Sequence, residues 1–189
     1  MNAPGRIRVI GGTLRNSRIE VPDLPGLRPT SDRVRETLFN WLQPVVEGSR
    51  CLDLYAGTGA LGIEALSRGA AAVTFIEREP RLAAALKANL ARLKVAGEVL
   101  TDDAARWLQG PARPFDLVLL DPPFALDAWA DTARVLEKGG WLAAHGWIYV
   151  ESPRSTAFSL PGNWLLHRQG QAGEVAYALY RRTPADPLS

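Results

Sequence analysis

From Cys51 to Leu136 the chain alternates short apolar runs with longer helical patterns, and that rhythm restricts it to a small set of folds. Residues 51–54 read as a strand, 60–67 as a helix and 72–76 as the next strand. An alanine-rich helix follows over 80–93, with proline at its permitted first turn. Residues 99–100 make a short strand, 104–108 a short helix, 115–120 a buried strand and 128–136 another helix. Strands that are apolar throughout and joined through helices lie parallel, in a sheet covered on both faces. The rhythm then changes. Residues 147–151, 164–169 and 175–182 read as strands, with 169–173 as a hairpin connection between the last two, so an antiparallel pair closes the sheet.

Ahead of this region, residues 6–10 alternate at period two, Gly11-Gly12 marks a turn, and 17–21 resumes before Pro22 and Pro25, which predicts a β-hairpin. Pro29-Thr30-Ser31-Asp32 then supplies capping residues for a helix with Val34, Leu38, Trp41 and Leu42 on one side, and Pro44 is expected to end it. Three units result: a basic hairpin arm over 1–27, a main domain over 28–183 and a frayed tail over 184–189. No stretch approaches the roughly 18 apolar residues that a membrane helix needs, and the amino terminus lacks the apolar segment of a secretion signal, so a cytoplasmic protein is expected. The single cysteine, Cys51, begins a strand; it excludes an intrachain disulfide and forms no ligand cluster, and no metal is expected.

Net charge is only +2, but it is unevenly spread. Residues 1–35 hold Arg6, Arg8, Arg15, Arg18, Arg28, Arg33 and Arg35 against Glu20, Asp23 and Asp32, a local charge of +4. The planar guanidinium fork suits phosphate contact and base stacking, so the clustering favours a nucleic-acid partner, with Arg6, Arg8, Arg15, Arg18 and Arg33 as candidate contacts.

Gly57 and Gly59, after the first main-domain strand, allow backbone conformations barred to other residues and bring N–H groups close to a ligand, while Gly62 permits tight packing of the following helix. The spacing Gly57-x-Gly59-x-x-Gly62 also fits a dinucleotide fingerprint. Asp53, with Tyr55 and small Ala56 after it, suits a cationic amino-acid moiety better than a pyrophosphate, which it would repel. Glu77, 24 residues after Asp53 and followed by Arg78, can accept hydrogen bonds from both hydroxyls of a ribose, which serves NAD and adenosine cofactors equally. Asp102 and Asp103 follow the third strand. A carboxylate there, or the Ala104 backbone, can meet an adenine edge, and either acid can instead cap the next helix.

Asp121-Pro122-Pro123-Phe124 decides between these cofactors. An exocyclic amine on a purine is a poor nucleophile, because its lone pair is delocalised into the ring. Asp121 and the Pro122 carbonyl can accept its hydrogens and turn the lone pair outward; Pro123 stiffens the turn, and Phe124 offers a face for stacking. That chemistry matches attack on a methyl carried by a sulfonium, which needs no general base of high pKa. With only His145 and His167 in the chain, no Ser-His-Asp or Cys-His constellation competes.

The motifs resemble those of class I S-adenosylmethionine-dependent methyltransferases, and more closely the RsmD family of 16S rRNA (guanine-N2)-methyltransferases. The matching segments are Ile10-Gly11-Gly12, the string from Leu27 to Leu42, the block from Asp53 to Leu66, Asp121 to Phe124, and Ile148-Tyr149-Val150-Glu151. The string from Arg28 is the most specific, since generic methyltransferases lack it. The chain departs from the family pattern at Arg15-Asn16-Ser17-Arg18, where a denser basic turn is usual. The resemblance implies a Rossmann-like fold: a mostly parallel seven-stranded α/β sheet with an antiparallel C-terminal strand, plus the N-terminal hairpin. It implies S-adenosylmethionine as cofactor, held by Gly57, Gly59 and Glu77, with Arg28 and Thr30 flanking that site. The Asp121 to Phe124 turn would hold a guanine of 16S rRNA, presented within a small-subunit particle to a monomeric enzyme. An adenine-N6 DNA methyltransferase uses similar logic, but the missing DNA-recognition insert and the Arg28 string argue against it. A protein glutamine methyltransferase would more usually carry asparagine at position 121. An oxidoreductase would need a proton donor that is not found, and a noncatalytic RNA-binding module would have no use for Asp121 and Glu77 together.

Overall fold

The computed structural model describes residues 5–27 and 30–184; Arg28 and nearly all of the expected tail lie outside the described residues. The chain opens with β1 (Arg6–Arg8) and β2 (Arg18–Glu20), followed by α1 (Asp32–Val46), β3 (Arg50–Asp53), α2 (Ala60–Ser67), β4 (Ala72–Glu77), α3 (Pro80–Leu93) and β5 (Glu98–Thr101). Then come α4 (Ala104–Trp107), β6 (Phe115–Leu120), a 3-10 turn (Phe124–Leu126), α5 (Trp129–Lys138), β7 (Leu142–Pro153), β8 (Trp164–Ala172) and β9 (Val175–Arg182). Seven of these strands form one sheet in the order β5-β4-β3-β6-β7-β9-β8. Neighbours from β5 to β7 run parallel, and β9 is reversed against both β7 and β8. This is the arrangement that the resemblance implies.

Period-two alternation in the central strands explains why both faces are covered. Cys51, Leu117, Leu119, Tyr149 and Leu179 join a core with α1, α2 and α3. Their neighbours Leu52, Leu54, Val118, Leu120, Ile148 and Val150 point the other way, into a core with α4 and α5.

Pro44 does not end α1, which continues through it to Val46. A proline removes its own N–H bond and crowds the carbonyl four residues back, and here the burial of Leu42 and Val46 offsets that cost. The backbone N–H and hydroxyl of Ser49 both donate to the Val46 carbonyl, and Gly48 turns the chain away at φ +76°. Two other boundaries shift. β7 begins five residues before Trp147, across a register irregularity against β6, and β8 runs on to Ala172, so the connection to β9 is tighter than expected.

The β1–β2 hairpin is firmly docked. Ile7 and Ile19 pair across it and face the core, which leaves Arg6, Arg8 and Arg18 outward. Asn89 of α3 behaves like an added strand residue: its Nδ2 donates to the Glu20 carbonyl and its Oδ1 accepts from the Glu20 N–H. At the other end, Glu64 of α2 is fully buried and accepts from the N–H groups of Ile10 (2.8 Å) and Gly11 (2.9 Å). It also pairs with Arg68 at 2.9 Å and with the fully buried Arg35 of α1 at 3.4 Å. Arg35 donates in addition to the Arg8 carbonyl and to Asp32. One carboxylate thus ties together the hairpin, α1 and α2. Gly12 fits only because it lacks a side chain: a Cβ there would sit 2.0 Å from the Ser67 carbonyl oxygen.

Candidate functional site

β3 hydrogen-bonds to β4 on one side and to β6 on the other, so the chain leaves β3 in opposite directions, and a crevice opens beyond the carboxyl ends of these strands. It holds about 780 Å³, a volume suited to a nucleoside-sized ligand. Residues from the ends of β3, β4 and β6 line it, together with Asp102, Asp103, Ala104, residues 24–27 and Thr30.

The glycine turn makes one wall. Gly57 takes φ +57° and Gly59 φ +82°, conformations that glycine adopts without strain. A Cβ on Gly57 would meet nothing within 4 Å, so the backbone itself borders open space there. Gly59 and Gly62 serve packing instead: added Cβ atoms would come within 2.2 Å of Leu86 and 2.3 Å of Phe75. The expected division of labour among the three glycines is therefore refined, with Gly59 shared between turn geometry and contact with α3.

Asp53 is 1% exposed, and its Oδ2 accepts from the Gly62 N–H at 3.1 Å. Burial pushes its carboxyl up to about 8; the Gly62 bond opposes that rise and the neighbouring Glu77 charge adds to it. Glu77 links two elements: Oε1 accepts from the Gly57 N–H at 2.9 Å and Oε2 from the Glu79 N–H at 2.7 Å. Arg78 is exposed at the rim. The Tyr55 hydroxyl lies 3.1 Å from that of Thr132, and burial raises the phenol above its ordinary value. Asp103 caps α4, accepting from the Arg106 N–H, while also lining the crevice. Asp102 is held below the ordinary carboxylate range by the Arg106 guanidinium. Both roles weighed for this acidic pair are thus compatible in one place.

Asp121, Pro122, Pro123 and Phe124 form the opposite wall. β6 ends at Leu120, so Asp121 is the first residue beyond the sheet, and the Leu126 N–H donates to the Pro123 carbonyl to close the turn. The Phe124 ring lies 6.0 Å from that of Trp129, which stacks on Phe158 at 5.4 Å. Thr30 reaches this wall: its hydroxyl is 3.5 Å from Asp121 Oδ2 and 3.4 Å from Glu151 Oε2.

Glu151 received no role from sequence. It is 2% exposed, its Oε2 accepts from the Tyr149 hydroxyl at 3.0 Å, and its carbonyl accepts from Trp129 Nε1 at 2.8 Å. The signal was present: an acid follows the apolar run from Trp147 to Val150 just as Asp121 follows β6 and Glu77 closes β4.

The candidate nucleic-acid residues sit apart from the crevice walls. Arg6, Arg8, Arg15, Arg18 and Arg33 are all exposed. Arg6 pairs with Glu20 at 3.5 Å and Arg8 with Asp32 at 3.9 Å; among the described residues Arg15, Arg18 and Arg33 form no ion pair. Arg8 and Arg18 are directly opposed across the hairpin.

Comparison with known proteins accords with this geometry. The family model described as conserved hypothetical protein 95 matches residues 7–181. Ribosomal RNA small subunit methyltransferase D of Escherichia coli is 49% identical over 180 residues, covering 94% of this chain and 91% of that protein. Its namesake from Haemophilus influenzae is 42% identical over 185 residues, covering 95% and 96%. The solved structure of yhhF from Escherichia coli superposes with a TM-score of 0.89 at 46% identity, covering 96% of this chain and all of that one. A match across nearly the whole sequence, together with a shared sheet, means that this chain belongs to the conserved hypothetical protein 95 family.

Proposed function

We propose that this chain methylates the exocyclic N2 of a guanine in small-subunit ribosomal RNA, with S-adenosylmethionine as donor. The observation that carries the reading is the placement of Asp121 and Phe124 across one crevice from Glu77 and the glycine turn. The names of the relatives supply the ribosomal RNA class. The walls fit such a cofactor: Gly57 offers backbone without a Cβ, Glu77 suits its ribose, and Asp53, whose buried and raised carboxyl a neighbouring cation favours in its ionised form, suits its ammonium end. When bound, S-adenosylmethionine supplies an electrophilic methyl on a sulfonium.

The chain's own residues then have distinct tasks. Glu77 would accept the ribose hydroxyls, with Arg78 at the rim; Asp103 and Ala104 would border the adenine, with Tyr55 closing that side of the crevice that they line. Gly59 and Gly62 fix the turn, and Asp53 faces the amino-acid end. Asp121 and the Pro122 carbonyl accept the guanine N2 hydrogens and aim the lone pair, while Phe124 stacks on the base and Pro123 stiffens the turn. The spare proton leaves after transfer. The base must be unstacked to enter, at a cost of a few kcal/mol that is least for a loop nucleotide. The hairpin arginines grip phosphates around it. Opposed like charges such as Arg8 and Arg18 disfavour the free hairpin, and a bound phosphate relieves that repulsion. A monomer acting in the cytoplasm on an assembled small-subunit particle fits a chain with one short basic arm.

The test is transfer from labelled S-adenosylmethionine to undermethylated small subunits, naked ribosomal RNA and duplex DNA in parallel, followed by nucleoside analysis. N2-methylguanosine from ribosomal substrates alone is expected. N6-methyladenine, or label on protein, contradicts the target.

A further inference from the structure

Asp121 and Glu151 stand side by side. Leu120, the last residue of β6, pairs with Val150 of the parallel β7, and the residue after each is a carboxylate. One hydroxyl, that of Thr30, lies within reach of both. The three groups differ in access. Asp121 and Thr30 line the crevice, whereas Glu151 is almost fully buried behind them. The Tyr149 phenol is fully buried and raised well above its ordinary value, first by burial and then by the charges of Glu151 and Asp121. It therefore stays protonated and acts toward Glu151 as a donor.

A threonine hydroxyl carries one hydrogen and two lone pairs, so it can donate to only one carboxylate at a time. With a base amine bound, that amine takes up acceptor capacity at Asp121 but none at Glu151, which is buried away from the base. The Thr30 hydrogen then goes to Glu151, which leaves the Thr30 oxygen as a bare acceptor facing the crevice next to Asp121. Two adjacent acceptors match guanine, whose N1–H and N2–H are neighbouring donors. They reject adenine, whose N1 is an acceptor beside the N6 donor.

We propose that Thr30 and Glu151 complete the base reader: Thr30 Oγ1 accepts the guanine N1–H beside Asp121, and Glu151 is the positioning residue that takes the Thr30 hydrogen. This rests on the guanine-N2 reading above. It gives Thr30 a target-side role, distinct from the cofactor-side role that the family resemblance implies for it. Glu151 touches no substrate atom and acts through the hydroxyl alone.

The test replaces the methylated guanosine, in small-subunit ribosomal RNA assembled into subunits, with 2-aminopurine riboside. That base retains the N2 amine but has no N1–H. Because each enzyme is compared with itself on two substrates, partial unfolding of a variant cancels from the ratio. The unaltered protein should prefer guanosine in kcat/KM by about tenfold or more beyond the preference shown by Thr30→Val, since a site built to accept an N–H strongly rejects an analogue lacking it. Thr30→Ser, which keeps the hydroxyl, should restore the preference. Glu151→Gln keeps an oxygen toward Tyr149 and Thr30 but removes the charge that draws the Thr30 hydrogen, and should shrink the preference. An unchanged ratio across all four proteins, with N2-methylguanosine still formed, overturns this role for Thr30 and Glu151 and leaves the guanine reading standing. N6-methyladenosine as the product on the unmodified subunits overturns both.

Discussion

The two walls of the crevice are built differently. On the glycine-turn side, acids are held by backbone donors at short distance: Glu77 by the N–H groups of Gly57 and Glu79, and Asp53 by that of Gly62. On the Asp121 side, Thr30 spans two acids through long side-chain contacts of 3.5 and 3.4 Å. Backbone donors are fixed by the fold, whereas side-chain contacts of that length are free to tighten when a partner arrives. Under the proposed function, the first wall serves as a preformed cofactor bed and the second is completed by its substrate.

The largest effect should come from loosening the support of the second wall from a distance. Arg35 lies on α1, the helix that begins just after Thr30, and it is buried against Glu64. Glu64→Ala leaves Arg35 without that carboxylate and removes the acceptor of Ile10 and Gly11, so urea denaturation should register a loss of about 3–5 kcal/mol. A loss below 1 kcal/mol means that the hairpin and α1 do not depend on that carboxylate.

Next in size is an attack on the preformed wall. Gly62→Val pushes new atoms into Phe75 and displaces the N–H that holds Asp53. Overpacking of this kind costs about 1–3 kcal/mol, and S-adenosylmethionine affinity should fall along with stability. If affinity is unchanged in the folded fraction, the wall is not preformed.

A gentler probe is pH. Asp53 titrates near 8 in the folded chain against 3.8 ordinarily, so folding favours its protonated form. The resulting stability is complete below pH about 4, declines as pH rises, and is gone above about 8. Stability falls across that window because the unfolded chain gives up the Asp53 proton more readily than the folded one. Asp53→Asn should flatten the stability profile between pH 5 and 8, measured by chemical denaturation; parallel profiles contradict the buried, raised carboxyl.

The smallest expected change concerns the hairpin. Arg15→Gln should weaken RNA binding evenly across sequences and reduce the slope of log affinity against log salt by roughly 0.7–1. An unchanged slope removes Arg15 from the phosphate contacts.

The preformed wall was readable from sequence because its parts are local. A strand, a glycine spacing and a strand-terminal acid lie within a few residues of one another at Asp53–Gly62 and again at Glu77. Asp121 to Phe124 was readable for the same reason. Thr30 and Glu151 meet across 121 positions, and no local pattern reports such an encounter. The Glu64 junction was hidden likewise, since Ile10 lies 54 positions from it. Pro44 misled in the opposite direction: a strong local stop signal yielded to the burial of Val46, which only the packed core supplies.

The most direct test of the two-wall account is calorimetric titration of S-adenosylmethionine into Asp121→Ala and Glu77→Gln, paired with transfer rates on small ribosomal subunits. Asp121→Ala should bind the cofactor as the unaltered chain does while transfer falls about 10²–10³-fold; Glu77→Gln should weaken binding first. If Asp121→Ala loses cofactor affinity together with transfer, the walls do not divide the work and the central claim fails.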